Sequence, residues 1–119
     1  MNTKYDLEDR LICFSVSIIK LSESFPISFS GKHLAGQLTR SATSPSLQYG
    51  EAQGAESRTD FIHKMRIALK ELRETNCSLK IVDKLGWFEK NALDQSLKEC
   101  NELISIFVKS IATAQKNLK

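Results

Sequence analysis

The chain has 119 residues, 41% of them hydrophobic, with 17 Lys+Arg against 14 Asp+Glu and a formal net charge of +3. That length holds one domain, 1–119, with one core, and that apolar content excludes a disordered chain. The weakly basic balance permits nucleic-acid contact without requiring it, because binding depends on how charge is clustered rather than on its total.

Leu7, Leu11, Phe14, Ile18, Leu21 and Phe25 recur at alternating steps of four and three. This is the helical period, so the first helix is expected over about residues 7 to 24, ending before Pro26. The apolar run from Leu11 to Ile19 is interrupted by Ser15 and Ser17 and is too short to span a bilayer. The leading MNTKYDLEDR mixes both charge signs, unlike a targeting signal. No membrane association is expected, and the cytoplasm is the expected location.

A second helix is expected from near Ser30 or Gly31, with Leu34 and Leu38 on one face, closing at Gly54. It must pass through RSATSPSLQYGEAQGAES, residues 40–57, which carries Pro45. A proline inside a helix removes one backbone hydrogen bond and clashes with the preceding turn, at a cost of roughly 3 kcal/mol. Set against this, Arg40, Thr43, Ser44, Leu47 and Glu51 fall along one helical face. The hydroxyls of Ser41, Thr43 and Ser44 stand where they can satisfy freed carbonyls, and Ala35, Gly36, Ala42 and Ser46 allow close approach of a neighbour. A kinked but continuous helix is therefore expected.

Ser57 with Asp60 forms a capping box for a third helix. Phe61, Met65, Ala68, Leu72, Thr75, Leu79 and Val82 carry its stripe to Leu85, and Gly86 is placed to end it. Leu93, Leu97, Cys100, Ile104, Phe107, Ile111, Ala114 and Leu118 define a fourth. Four amphipathic helices joined by short connections make an all-α, antiparallel up-down-up-down four-helix bundle the economical fold.

Residues 38 to 76 closely, and about residues 6 to 118 in layout, resemble a particular family. Arg40, Ser41, Thr43, Ser44, Tyr49, Glu51 and Ala52 match one motif. Ala55, Glu56, Ser57, Asp60, Phe61, Ile62, His63 and Lys64 match a second, extended by Ile67, Ala68, Leu69, Lys70, Glu71, Glu74 and Thr75. These residues are similar to the four-helix-bundle proteins named after intervening sequences in 23S ribosomal RNA genes. The resemblance implies a left-handed antiparallel bundle, assembly as a homopentamer and no established enzymatic activity. It also implies an association with RNA or DNA, or service as accessory to a nucleic-acid enzyme. The chain departs from the pattern at Pro45, Gln48 and Gly50, and Cys77 and Ser78 stand in place of an aromatic pair.

On the third helix, Arg66, Lys70, Arg73, Lys80 and Lys84 fall within about 80° of one another, with Cys77 in the same column. Five aligned cations of this kind would engage backbone phosphates without reading sequence. The plainer reading is a solvated face paired with nearby Glu and Asp, which the lack of stacking aromatics favours. Arg40, Ser44, Gln48, Glu51, Glu71 and Glu74 are expected to form a structural polar network, with Arg40, Glu51, Glu71 and Glu74 partly buried. Ile67, Glu71, Glu74, Ser78, Ile81 and Leu85, with Leu103, Ile106 and Val108, widen the apolar surface beyond one stripe per helix and point to a subunit contact.

Catalysis has no positive signal. No Glu is followed by a His three residues later, as di-metal bundles require, and His33 and His63 are isolated. Phosphate loops, HExxH and GxSxG are missing. No cofactor or metal is expected. Cys13, Cys77 and Cys100 stand apart without a CxxC pair, which argues against a disulfide framework and for a reducing compartment. The expected function is that of a non-catalytic oligomeric bundle binding RNA or DNA through basic surfaces. The alternative is a protein-interaction scaffold whose lysines serve solubility alone.

Overall fold

A computed structural model of the chain describes residues 3–118. Met1, Asn2 and Lys119, the ends of the expected domain 1–119, lie outside the described residues. The described residues form four helices: α1 Thr3–Glu23, α2 Phe29–Gln53, α3 Arg58–Leu85 and α4 Asp94–Lys116. Each helix packs on the next, and α1 also meets α4, so the four make an all-α bundle.

The boundaries follow from local chemistry. α1 begins a turn ahead of the expected start, because an apolar stripe marks a buried face and not the residues that precede it. It frays through bonds from the Ser24 and Phe25 amides to the Leu21 and Ser22 carbonyls. Phe25 stays in the core, edge-on to Trp87 at 5.4 Å and 5.8 Å from Phe88. That contact joins the α1–α2 and α3–α4 turns at one end of the bundle.

Ser28, not Ser30 or Gly31, caps α2: its hydroxyl accepts from the Gly31 amide at 3.0 Å. Gly31 is buried, and a Cβ there would lie 1.8 Å from the Pro26 carbonyl oxygen. Ser57 accepts from the Asp60 amide at 3.0 Å, as expected for α3, and Gly86 ends that helix in the left-handed region at φ 72. α4 has no side-chain cap, and Leu93, 1% exposed, anchors its start by packing.

Pro45 lies buried inside an unbroken α2. Thr43 donates to the Thr39 carbonyl at 2.8 Å and Ser46 to that of Thr43 at 2.8 Å. The hydroxyls divide differently from the expectation, however. Ser41 is fully buried and bonds Thr75 of α3 at 2.8 Å, while Ser15 of α1 donates to the Ala42 carbonyl at 3.0 Å. The serine-rich turn before the proline thus serves contacts between helices as well as its own backbone.

The core runs the length of the bundle through Leu11, Ile18, Leu38, Met65, Leu72, Leu79, Leu103 and Phe107. Leu103 and Ser78, placed by the sequence on a subunit-contact flank, are buried within the chain instead, at 0% and 5% exposure. The apolar width of α4 is used inside the bundle, which leaves only Ile81, Leu85 and Val108 of that flank exposed.

Cys100 is buried and its thiol points at the Leu72 carbonyl, 3.3 Å away. Burial pushes its pKa up to about 11. Because the native thiol holds its proton longer than the unfolded one, this contribution to stability is complete below the ordinary thiol value. It is lost as pH rises through about 11. At pH 8 a thiol-reactive dye is expected to titrate the exposed Cys13 and Cys77 promptly, and Cys100 only after unfolding.

Candidate nucleic-acid interface

α3 turns its apolar residues toward α2 and α4, and its period sets the opposite side in water. Arg66, Lys70, Arg73, Lys80 and Lys84 are all exposed on that side, with Cys77 among them. Arg66, Lys70 and Arg73 line an open depression with Leu69, Glu74 and Cys77.

Glu71, Glu74 and Glu51 are engaged elsewhere, while the exposed Asp83, in sequence between Lys80 and Lys84, makes no ion pair within 4.0 Å among the described residues. Arg40 of α2 reaches Glu71 at 2.9 Å and Glu74 at 3.5 Å. Lys64 binds Glu51 at 2.8 Å, and Arg10 of α1 clasps Glu99 at 2.7 Å and Glu102 at 2.9 Å on α4. Among the described residues, none of the five stripe cations has a carboxylate within 4.0 Å. The plainer reading pairs the stripe with nearby acids, and no such pair forms within 4.0 Å among the described residues; a solvated face as such needs none. What remains is a line of cations with Glu74, which itself leans toward Arg40, beside its first half and the exposed Asp83 beside its second.

The expected polar network is split. Arg40, Glu71 and Glu74 come together across the α2–α3 seam, whereas Glu51 lies apart with Lys64. Ser44 makes no hydrogen bond among the described residues, and the buried Oε1 of Gln48 has no partner there. Nor are all these groups buried: the Arg40 and Glu51 side chains are 54% and 56% exposed, against 15% for Glu71. The long side chains of Arg40 and Glu51 extend from the seam into water and pair at its rim.

Burial holds the Glu71 carboxyl above its ordinary value, reinforced by a hydrogen bond with Glu74 and opposed by Arg40. Arg40 is held more firmly protonated by its bond to Glu71. The cluster is an ion-pair rim. No group of three or more His, Cys, Asp or Glu among the described residues is placed to hold a metal ion.

The Arg10 clasp escaped the sequence reading. Asp6, Glu8 and Asp9 lie nearer to Arg10 in sequence, but the acids it binds are on the last helix. The Asn76–Asn101 hydrogen bond at 3.1 Å, between α3 and α4, was equally invisible.

No curated protein matches the chain significantly. Among solved structures it is similar to a crystal structure of a protein with unknown function from the S23 ribosomal protein family, from Bacteroides thetaiotaomicron VPI-5482. The two share 26% sequence identity over 93% of this chain and 99% of that one, with a TM-score of 0.83. The profile for "23S rRNA-intervening sequence protein" matches residues 4–109, which include the motifs around Arg40, the whole of α2 and α3, most of α1 and α4, and the whole basic stripe. The chain therefore belongs to the 23S rRNA-intervening sequence protein family.

Proposed function

We propose that this chain is a non-catalytic, self-assembling bundle, pentameric in its working form, that offers the α3 stripe to the phosphate backbone of RNA or DNA in the cytoplasm. It does so alone or as accessory to a nucleic-acid enzyme. The bundle is antiparallel, up-down-up-down and left-handed. Support for opposed α2 and α3 comes from their pairings, in which Arg40 meets Glu71 and Glu74 while the later Glu51 meets the earlier Lys64.

The observation that carries the binding claim is that five exposed cations in one line stand without ion-pair partners among the described residues. From Arg66 to Lys84 the stripe extends roughly 27 Å at 1.5 Å per residue. A duplex presents a phosphate about every 1.7 Å along its axis, so each cation has a phosphate within reach. Contacts of this kind fix orientation and carry no sequence information. Copies in an assembly strengthen weak contacts through effective concentration.

Fluorescence anisotropy with a labelled 20-base-pair RNA or DNA duplex tests the claim. Five phosphate contacts predict that affinity falls about 10²–10³-fold between 50 and 200 mM salt. Arg66→Glu, Lys70→Glu and Arg73→Glu together are expected to abolish binding while leaving helicity intact, because all three residues are exposed. Binding without salt dependence, or undiminished binding by the triple variant, would refute it.

A further inference from the structure

We infer that the surface through which one copy docks on the next is the outer face shared by α1 and α2. This rests on the self-assembly proposed above and names the surface that performs it.

Charge distribution points there first. Residues 11–19 of α1 contain no charged side chain, and Arg40 is the only Lys, Arg, Asp or Glu between Lys32 and Glu51 of α2. Arg40 is drawn toward Glu71 and Glu74 on the α3 side. Everything else α2 presents outward over that stretch is uncharged. The exterior of α3 is studded with Lys and Arg, and interface centres are depleted in charge.

Apolar side chains occupy this uncharged face. Ile12 and Val16 are 47% and 44% exposed, and Leu47 is 66% exposed. On α2, Phe29, Gly36, Thr43 and Gly50 recur every seven residues and, with Leu47, lie within about 60° at helical spacing. Ser15, one turn from Ile12 and beside Val16, bonds the Ala42 carbonyl next to Thr43. The two outward stretches are therefore neighbours on one side of the molecule.

The glycines add a separate argument. A helix-interior glycine costs about 1 kcal/mol relative to alanine. Gly31 has a reason within the chain, since the Pro26 carbonyl occupies the space a Cβ would need. Gly36 and Gly50 have none: among the described residues, no heavy atom beyond the helix's own adjoining backbone lies within 4 Å of a Cβ built at either. On an exposed face, the missing side chain lets another backbone come close.

Area selects the occupant. The molecule measures 50 × 27 × 20 Å, so one flank offers roughly 1,000 Å², above the ~800 Å² per partner of a standard interface. The end of the bundle, where Ile27 is 91% exposed, offers about half as much. A long, uncharged, gently apolar flank suits a second bundle of equal length.

Light-scattering mass and circular dichroism on purified protein, taken together, test this. The unmodified chain is expected to give a multimer. The double variant Ile12→Arg/Leu47→Arg is expected to fall to monomer mass with helicity retained, and Gly36→Ala to weaken assembly at least tenfold. Ile81→Arg, on the exterior of α3, is expected to leave the mass unchanged. If the unmodified chain is a monomer at every concentration, self-assembly fails and this inference with it. If it is a multimer and Ile12→Arg/Leu47→Arg keeps that mass, or Ile81→Arg dissociates it, the face is wrongly assigned while self-assembly stands.

Discussion

Replacing Phe107 with alanine is expected to remove about 3–5 kcal/mol of stability, the largest loss of any single truncation proposed here. Phe107 is fully buried on α4 and meets the Tyr49 ring edge-on at 6.1 Å. Tyr49 is itself 5% exposed, and burial raises the pKa of its phenol, so the cavity would open where water is already excluded. The lost transfer energy would be compounded by dispersion contacts that rigid neighbours cannot remake. Domains of this size hold about 5–15 kcal/mol in total, so the variant would be near its unfolding threshold. Urea denaturation followed by circular dichroism measures the difference directly. Phe107→Leu, which keeps most of the volume, is expected to lose less than half as much.

Gly31→Ala is expected to cost about 3 kcal/mol, at the upper end for overpacking. The new methyl would lie 1.8 Å from the Pro26 carbonyl oxygen and 2.8 Å from its carbon. A clash with a flexible side chain can be relieved by rotation. This clash is with the backbone of the turn that brings α1 back to α2, so the turn or the helix start must move. Ser28→Ala, which removes only the hydroxyl cap on the Gly31 amide, is expected to cost about 1 kcal/mol. The same denaturation experiment ranks the two. An alanine at residue 31 no worse than the cap deletion would mean that the turn yields easily.

Some features were legible because their causes are local. Ser57 and Gly86 bound α3 through chemistry contained in a few adjacent residues, and both were read correctly. Ser28 was missed because nothing three residues later resembles a capping-box acid; the partner is the bare amide of Gly31. The continuity of α2 through Pro45 was also legible, from its helical face and its hydroxyls. That Ser41 would turn to Thr75, and Ser15 to Ala42, required the neighbouring helices.

The candidate interface divides in the same way. A period of 3.6 residues places Arg66, Lys70, Arg73, Lys80 and Lys84 on one side of α3 whatever α3 packs against. That they have no ion-pair partner among the described residues had no sequence signature, because it depends in part on Arg40 capturing Glu71 and Glu74 and on Glu51 going to Lys64.

By itself, then, the sequence determined four helices, most of the buried stripes of α1, α3 and α4, the line of cations on α3 and the family; Leu118, placed on the α4 stripe, lies past the end of that helix and is exposed. These rest on periodicity and on contacts a few residues long. Only the tertiary structure decided which carboxylate neutralises which cation and that Leu103 turns inward. It also decided that α1 and α2 leave an uncharged face in water. Such outcomes depend on the rotation and offset of one helix against another. Those are set by the packing of the whole core, and no local run of residues encodes them.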